Sequence, residues 1–223
     1  MKAVIFDMDG VLINSEPLHF KVEQMAFNRL GIPADMEELE SYVGMTNPDM
    51  WSRVKEKHNL EASLEELIEW QVQMKLNELQ QSAEGPIDGV PELLGLLKDR
   101  RIAVGLASSS PKSFILAVLD KLGIAEYFSA VVSGEEVGKG KPAPDVYLRA
   151  AALLGVAPTD CVAVEDSRHG VRAAQAAGMK CIGFQNADSG SQDVSAAEAV
   201  VSSIREITPG VLLRLGMEAR END

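Results

Sequence analysis

From Gly89 onward, short apolar runs rich in valine, isoleucine and alanine alternate with segments whose apolar residues recur at helical spacing. Such alternation builds a parallel sheet with crossover helices. The runs are Ile102 to Ala107, Ala130 to Val132, Cys161 to Val164, Lys180 to Phe184 and Ala199 to Val201. Between them, Phe114, Ile115, Val118 and Leu119, then Val146, Ala150, Leu153 and Leu154, mark helix faces. A further strand stands at the very start, where Ala3-Val4-Ile5-Phe6 is uninterrupted by charge, as expected of a strand buried on both sides. Residues 15–84 contain no such run and read as helices. Leu18, Val22, Met25, Ala26 and Leu30 form one stripe, closed by Gly31, and Leu64, Ile68, Val72, Leu76 and Leu79 form another, with breaks at Pro33 and Pro48. The expectation is therefore one α/β domain, residues 1–14 and 85–223, interrupted by an α-helical domain over residues 15–84.

In open parallel sheets ligands bind at the carboxyl ends of the strands, and here those ends carry the reactive side chains. The first strand runs out into Asp7-Met8-Asp9-Gly10. Alternation puts Asp7 and Asp9 on one side and Met8 on the other, and two carboxylates that close repel unless a cation or a shared proton intervenes. Taken alone, the pair is equally an acidic turn. The strand from Ile102 ends in Ser108-Ser109-Ser110-Pro111, a favourable helix start with Ser110 as N-cap and Pro111 as first helical residue. It is also an anion site, with the Ser108 hydroxyl and the Ser109 N–H as donors. Lys141, fixed between Gly140 and Pro142, is placed to cancel charge between a carboxylate and a phosphate, whereas Lys139 reads as surface. Glu165-Asp166-Ser167 brings acids to another strand exit, where a helix start would favour them in any case.

A net charge of -13 with no basic cluster argues against a nucleic-acid binder. Any anion must be met locally. Cys161 and Cys181 both lie in apolar runs and read as buried thiols of a reducing cytosol. No apolar run is long enough for a membrane span, so a cytoplasmic monomer acting on a small molecule is expected.

Taken in order, Asp7-x-Asp9, Ser108 after a strand, Lys141-Pro142 and Glu165-Asp166 resemble the four motifs of the haloacid dehalogenase superfamily, and the likeness spans essentially the whole chain. The helical insert after the first motif is similar to the cap of the branch that contains β-phosphoglucomutase and phosphoglycolate and sugar-phosphate phosphatases. That resemblance implies a Rossmann-like core with an α-helical cap. It implies an Asp7 nucleophile, an Asp9 general acid and base, and a Mg²⁺ ion held by Asp7, the Asp9 backbone carbonyl, Glu165 and Asp166. For Asp9 to act as the acid it must keep a proton near neutrality. Ser108, Ser109 and Lys141 would hold the transferring phosphoryl oxygens. Ser15 and His19 fall where relatives place residues beside the second acid, so His19 would orient Asp9. In mutase members a glycine is followed three residues later by an arginine that grips the far phosphate, whereas Gly44-Met45-Thr46-Asn47 offers Asn47. The departure favours a phosphatase acting on a small phosphate monoester of the sugar phosphate type, with β-phosphoglucomutase as the alternative. A phosphoaspartate signalling domain is a third reading, but it would lack the second acid and the insert. The Lys141-Pro142 bond is expected to be cis.

Overall fold

The computed structural model describes residues 2–33, 35–42, 45–190 and 192–216. Six parallel strands form one sheet in the order β3-β2-β1-β4-β5-β6, namely β1 (Ala3–Phe6), β2 (Ala103–Ser108), β3 (Ala130–Ser133), β4 (Cys161–Glu165), β5 (Lys180–Phe184) and β6 (Ala199–Val201). β1 is central, pairing Ala3 with Ala103 on one side and with Cys161 on the other. Every residue of β1 is buried, which explains its unbroken apolar sequence.

Two apolar layers enclose the sheet. On one face Val4, Phe6, Val104, Leu106, Val162 and Val164 pack against helices α5 (Val90–Asp99), α6 (Lys112–Leu122) and α9 (Pro209–Arg214). On the other, Ala3, Ile5, Ala107 and Ala163 meet α7 (Asp145–Leu154) and α8 (Arg168–Ala176). The helices α1 (Glu16–Leu30), α2 (Met36–Glu40), α3 (Asn47–His58) and α4 (Leu64–Gln81) follow β1, with no strand among the described residues between them. They build a separate apolar cluster around Phe27, Leu39, Trp51, Val54 and Leu67.

Local chemistry accounts for most boundaries. Pro17 occupies the first turn of α1, and Gly31 ends it in the left-handed conformation at φ 69°. Ser63 and Glu66 close a capping box on α4. Pro48 sits in the first turn of α3 and so opens that helix instead of breaking one. Ser110 is not the N-cap of α6: Pro111 takes that position without a side-chain bond, because the Ser110 hydroxyl is turned to Asp9. The buried face of α4 also differs from its apolar stripe. Leu67, Gln71, Lys75 and Leu79 lie deepest, while Leu64, Ile68, Val72 and Leu76 are half-buried, because α4 packs on α1, α3 and α6 together. The Trp51 indole N–H donates to Gln71 Oε1 at 2.9 Å and satisfies the buried amide.

Candidate active site

The chain leaves β1 through a turn that fixes both acids. Met8 is fully buried in the core, and its carbonyl accepts N–H groups from Val11 and Leu12 at 3.2 and 2.8 Å. Asp7 and Asp9 flank it, and both line one cavity, as strand alternation requires. Gly10 completes the turn at φ 73°, and a Cβ there would lie 1.9 Å from Asp166 Oδ2. Only glycine fits so close to the second acidic strand end.

Asp7 and Asp9 have different company. Lys141 Nζ donates to Asp7 Oδ1 at 2.7 Å and to Glu165 Oε1 at 2.6 Å, with its side chain 3% exposed. The peptide bond before Pro142 is cis, as expected. Glu165 also accepts from the Tyr147 hydroxyl at 2.7 Å and from the Ser167 N–H and hydroxyl at 3.2 and 3.0 Å. Asp166 accepts from the Ser189 hydroxyl. Burial, above all, holds the Asp7 carboxyl well above the usual range; Lys141 opposes this, while Glu165, Asp166 and Asp9 add to it. Burial followed by Glu165 does the same to Asp166.

Asp9 accepts four hydroxyl or ring donors: Ser15 Oγ at 2.6 Å, His19 Nε2 at 2.8 Å, Ser110 Oγ at 2.8 Å and Ser108 Oγ at 3.3 Å. Burial pushes its carboxyl up, but His19, Ser15 and Ser110 outweigh that and hold it well below the usual range. This arrangement favours an ionised Asp9, against the expectation that it keeps a proton near neutrality. His19 lies where it can orient Asp9, tilted on the Phe114 ring at 5.5 Å.

The donor set can be tested for a metal directly. Asp7, Glu165 and Asp166 each offer a carboxylate oxygen, and these lie within 4.8 Å of one another, against the single ammonium of Lys141. Clustered hard oxygens with a shortage of positive charge fit a Mg²⁺-type ion. The Asp9 side chain is engaged by its four donors, leaving its backbone carbonyl as the group that could join them.

Ser109, Ser110, Lys141 and Asn47 line the cavity, together with both aspartates, His19 and Asp166. Ser108 is fully buried beneath it, its hydroxyl accepting the Ser110 N–H at 3.0 Å. Lys139 is exposed, as read from the sequence. Asn47 comes from α3, whose start rests on the lysine loop: a Cβ on Gly140 would lie 3.0 Å from Thr46 Cγ2. Gly44, the glycine of the mutase pattern, lies outside the described residues. The sequence reading missed Ser110 as a partner of Asp9, Tyr147 and Ser189 as partners of the acids, and Glu16, Glu23, Tyr42 and Lys75 in the cavity wall. Of these only Lys75 left a trace, as a charge four residues from Gln71 and Leu79 on the buried side of α4.

An open parallel sheet with a carboxylate, a second acid, a lysine and an acidic pair converging at its strand exits is the arrangement of an α/β enzyme with its site at the carboxyl ends of the strands. Residues 1–178 match the model of haloacid dehalogenase-like hydrolases, and the chain belongs to that family. It is 34% identical over 219 residues to β-phosphoglucomutase of Bacillus subtilis, covering 93% of this chain and 92% of that one. It is 36% identical over 184 residues to hexitol phosphatase B of Escherichia coli K12, covering 81% and 82%. A crystal structure of β-phosphoglucomutase from Clostridium difficile superimposes with a TM-score of 0.85 at 25% identity, covering 96% of each chain.

Proposed function

We propose that this chain is a Mg²⁺-dependent phosphatase that hydrolyses a small sugar-type phosphate monoester through an aspartyl-phosphate on Asp7. Residues 15–84 act as a cap over a core of residues 1–14 and 85–223. The observation that carries the reading is the convergence of Asp7, Lys141, Glu165 and Asp166 at neighbouring strand ends, beside an Asp9 wrapped by four donors. Asp7, Asp166, Glu165 and the Asp9 carbonyl would hold the metal, which would supply charge neutralisation between the nucleophile and the anionic phosphate.

Asp7 attacks phosphorus, and the leaving oxygen takes its proton from the protonated fraction of Asp9, which the four donors keep small. Lys141 and the Ser109 N–H stabilise the charge that develops on the transferring oxygens. Asp9, returned to its ionised form, then takes a proton from the water that attacks the aspartyl phosphate. Four donors stabilise that basic form, so the hydrolytic half-reaction is the one the resting geometry favours. Asn47 in place of a cap arginine also supports hydrolysis over phosphoryl return to a bound bisphosphate.

Phosphomutase activity is the second reading. Its support is the 34% identity to the Bacillus enzyme over nearly the whole chain and a cationic Lys75 in the cavity wall. The test is a panel of phosphate monoesters assayed with Mg²⁺ and with chelator, scoring inorganic phosphate against interconversion of β-glucose 1-phosphate and 6-phosphate. Phosphate release that requires Mg²⁺ and vanishes in Asp7→Asn is expected. Turnover that persists in Asp7→Asn would overturn covalent catalysis, and sugar phosphate interconversion without phosphate release would establish the mutase.

A further inference from the structure

A groove of about 830 Å³ runs beside the catalytic cavity, between α3 and the loop that carries Lys141, and neither Asp7 nor Asp9 lines it. Its two walls are seated against each other: a Cβ on Gly134 or on Gly140 would lie 3.0 Å from Thr46 Cγ2. Cations from three elements face it, Arg53 from α3, Lys139 from the lysine loop and His169 from α8. Among the described residues none of these three side chains forms a hydrogen bond or ion pair. Burial, then Arg172, Arg168 and Arg53, hold the His169 imidazole below its ordinary value, so three guanidinium groups converge on one ring. The acids nearby are otherwise engaged. Asp49 accepts the Thr46 hydroxyl at 2.8 Å, Glu135 is under the influence of Lys75, and Asp193, which Arg168 and Arg172 do reach, accepts the Ser195 N–H at 3.0 Å. Acids outnumber lysines and arginines 34 to 21 in this chain, so unpaired cations gathered from three elements run against its average charge. Such a cleft focuses its field and concentrates anions.

We propose that this groove is a binding site for a small polyanion, a molecule with several phosphate or carboxylate groups that bridges Arg53 on α3 to Lys139 and His169. A single anionic group can meet one of these cations, whereas a polyanion spans them and makes a charge-assisted hydrogen bond to each. Met45, Val137 and Pro142 supply apolar wall between the charges, and the volume falls within the range of small-molecule sites, about 300–1,000 Å³. The occupant is a regulatory ligand and not a substrate, because the groove contains neither aspartate of the strand-end turn. It acts through position. Lys141 and Met45 line both the groove and the catalytic cavity, so a ligand that fastens α3 to the lysine loop bears on the residue that holds Asp7.

Isothermal titration calorimetry on metal-free protein, dialysed free of chelator, tests the site with inorganic tripolyphosphate and with citrate as probes. Without a divalent ion the acids around Asp7 repel an anion, so the heat reports the groove. Arg53→Gln and Lys139→Gln each remove one exposed cation from opposite walls, and circular dichroism establishes that both fold. Arg100→Gln, an exposed cation just before the amino end of β2, controls for net charge. The expected result is binding of at least one probe at a single site, with Kd raised about tenfold in Arg53→Gln and in Lys139→Gln and unchanged in Arg100→Gln. Binding of tripolyphosphate alone would make the ligand a polyphosphate, and binding of citrate alone a polycarboxylate; either supports the site. No heat with either probe would overturn it. So would a Kd that Arg53→Gln and Lys139→Gln leave unchanged, or an equal loss in Arg100→Gln, which would reduce the effect to net charge.

Discussion

Replacing Lys141 by methionine keeps the length of the side chain and deletes its charge, which isolates what the ammonium does for the acids around it. Lys141 is paired at 2.7 Å with Asp7 and 2.6 Å with Glu165, whose side chains are 9% and 0% exposed. Removing one partner of a buried ion pair costs about 3–5 kcal/mol when the abandoned group stays charged. The acids can escape part of that by taking up protons. Among the described residues Lys141 is the neighbour that lowers the Asp7 carboxyl, which burial already holds high, and its loss raises both Asp7 and Asp166 further. A group that binds its proton more tightly folded than unfolded makes stability fall as pH rises, by about 1.4 kcal/mol per pH unit for each proton retained. The wild-type contribution of Lys141 has the same sign but falls in a far more alkaline window. Its folded pKa is raised, so its stabilisation is complete below its ordinary value of 10.5 and constant across the neutral range. Urea unfolding of Lys141→Met in chelator should thus give a loss of about 3–5 kcal/mol near pH 8, shrinking by at least about 1.4 kcal/mol near pH 5.5. Trp51 and Trp70 both lie in the helical segment, so circular dichroism must accompany fluorescence to follow the sheet. Added Mg²⁺ should stabilise the variant more than the wild type, since it would neutralise the same acids. An equal loss at both pH values would refute the electrostatic reasoning and leave Lys141 as a packing residue.

Gly170→Ala would place a Cβ 1.8 Å from Glu165 Oε1, forcing that carboxylate away from Lys141 and Tyr147. It should reduce kcat by about 100-fold with little loss of helix content, and unchanged turnover would show that Glu165 need not hold its place. Glu16 is pushed up to about 8 by burial, Asp9 and Glu23, so its ionisation destabilises the fold as pH rises from its ordinary 4.5 towards 8. Glu16→Gln should accordingly be more stable than the wild type near pH 8, by at most about 5 kcal/mol, with the difference vanishing near pH 4.5; urea titrations that find no pH dependence would contradict this. Gln71→Leu would strip the Trp51 indole N–H of its acceptor and cost about 1–3 kcal/mol, read as a lower midpoint for the helical segment, whereas an unchanged midpoint would mean that the bond contributes nothing.

The sheet was legible because each strand is a short buried run whose composition leaves little choice, and the observed β2, β3 and β4 each extend one residue beyond the runs read from sequence. Ser108 and Glu165, two of those extra residues, reach the site, and the third, Ser133, donates its hydroxyl to the Ser110 carbonyl at 2.7 Å. The acids and the lysine that converge at the candidate site were legible because they stand at or near strand exits, where an address can be read from topology alone. The cavity wall was not. Periodicity picks out the apolar stripe of a helix and assigns its polar residues outward, so it gives no sign that Gln71 and Lys75 are buried. In this chain α4 packs against several helices at once, which buries a polar row. Ser110 was misread for a similar reason, since the local preference for a serine N-cap lost to a tertiary hydrogen bond with Asp9.

Asp7 and Asp9 are the same residue type separated by one methionine, yet their surroundings drive them in opposite directions. Asp9 has neutral hydroxyls and an imidazole as donors, all arranged to satisfy a carboxylate. Asp7 has one ammonium, shared with Glu165, and further acids close by. Pairs of titratable groups pushed apart in this way mark a division of labour, and the group that the proposed reaction needs as an anion is the one whose anionic form is least supported by the protein alone. Protein cations do not close that deficit: among the described residues Lys141 is the one cation bonded to Asp7, and Glu165 takes half of it. A divalent ion among Asp7, Glu165 and Asp166 would make the nucleophile available at neutral pH. Occupancy of that site and ionisation of Asp7 should therefore be linked, with the pH needed for half-maximal turnover falling as Mg²⁺ concentration rises. A pH profile that does not move with Mg²⁺ would separate the two and leave Lys141 alone to hold Asp7 as an anion.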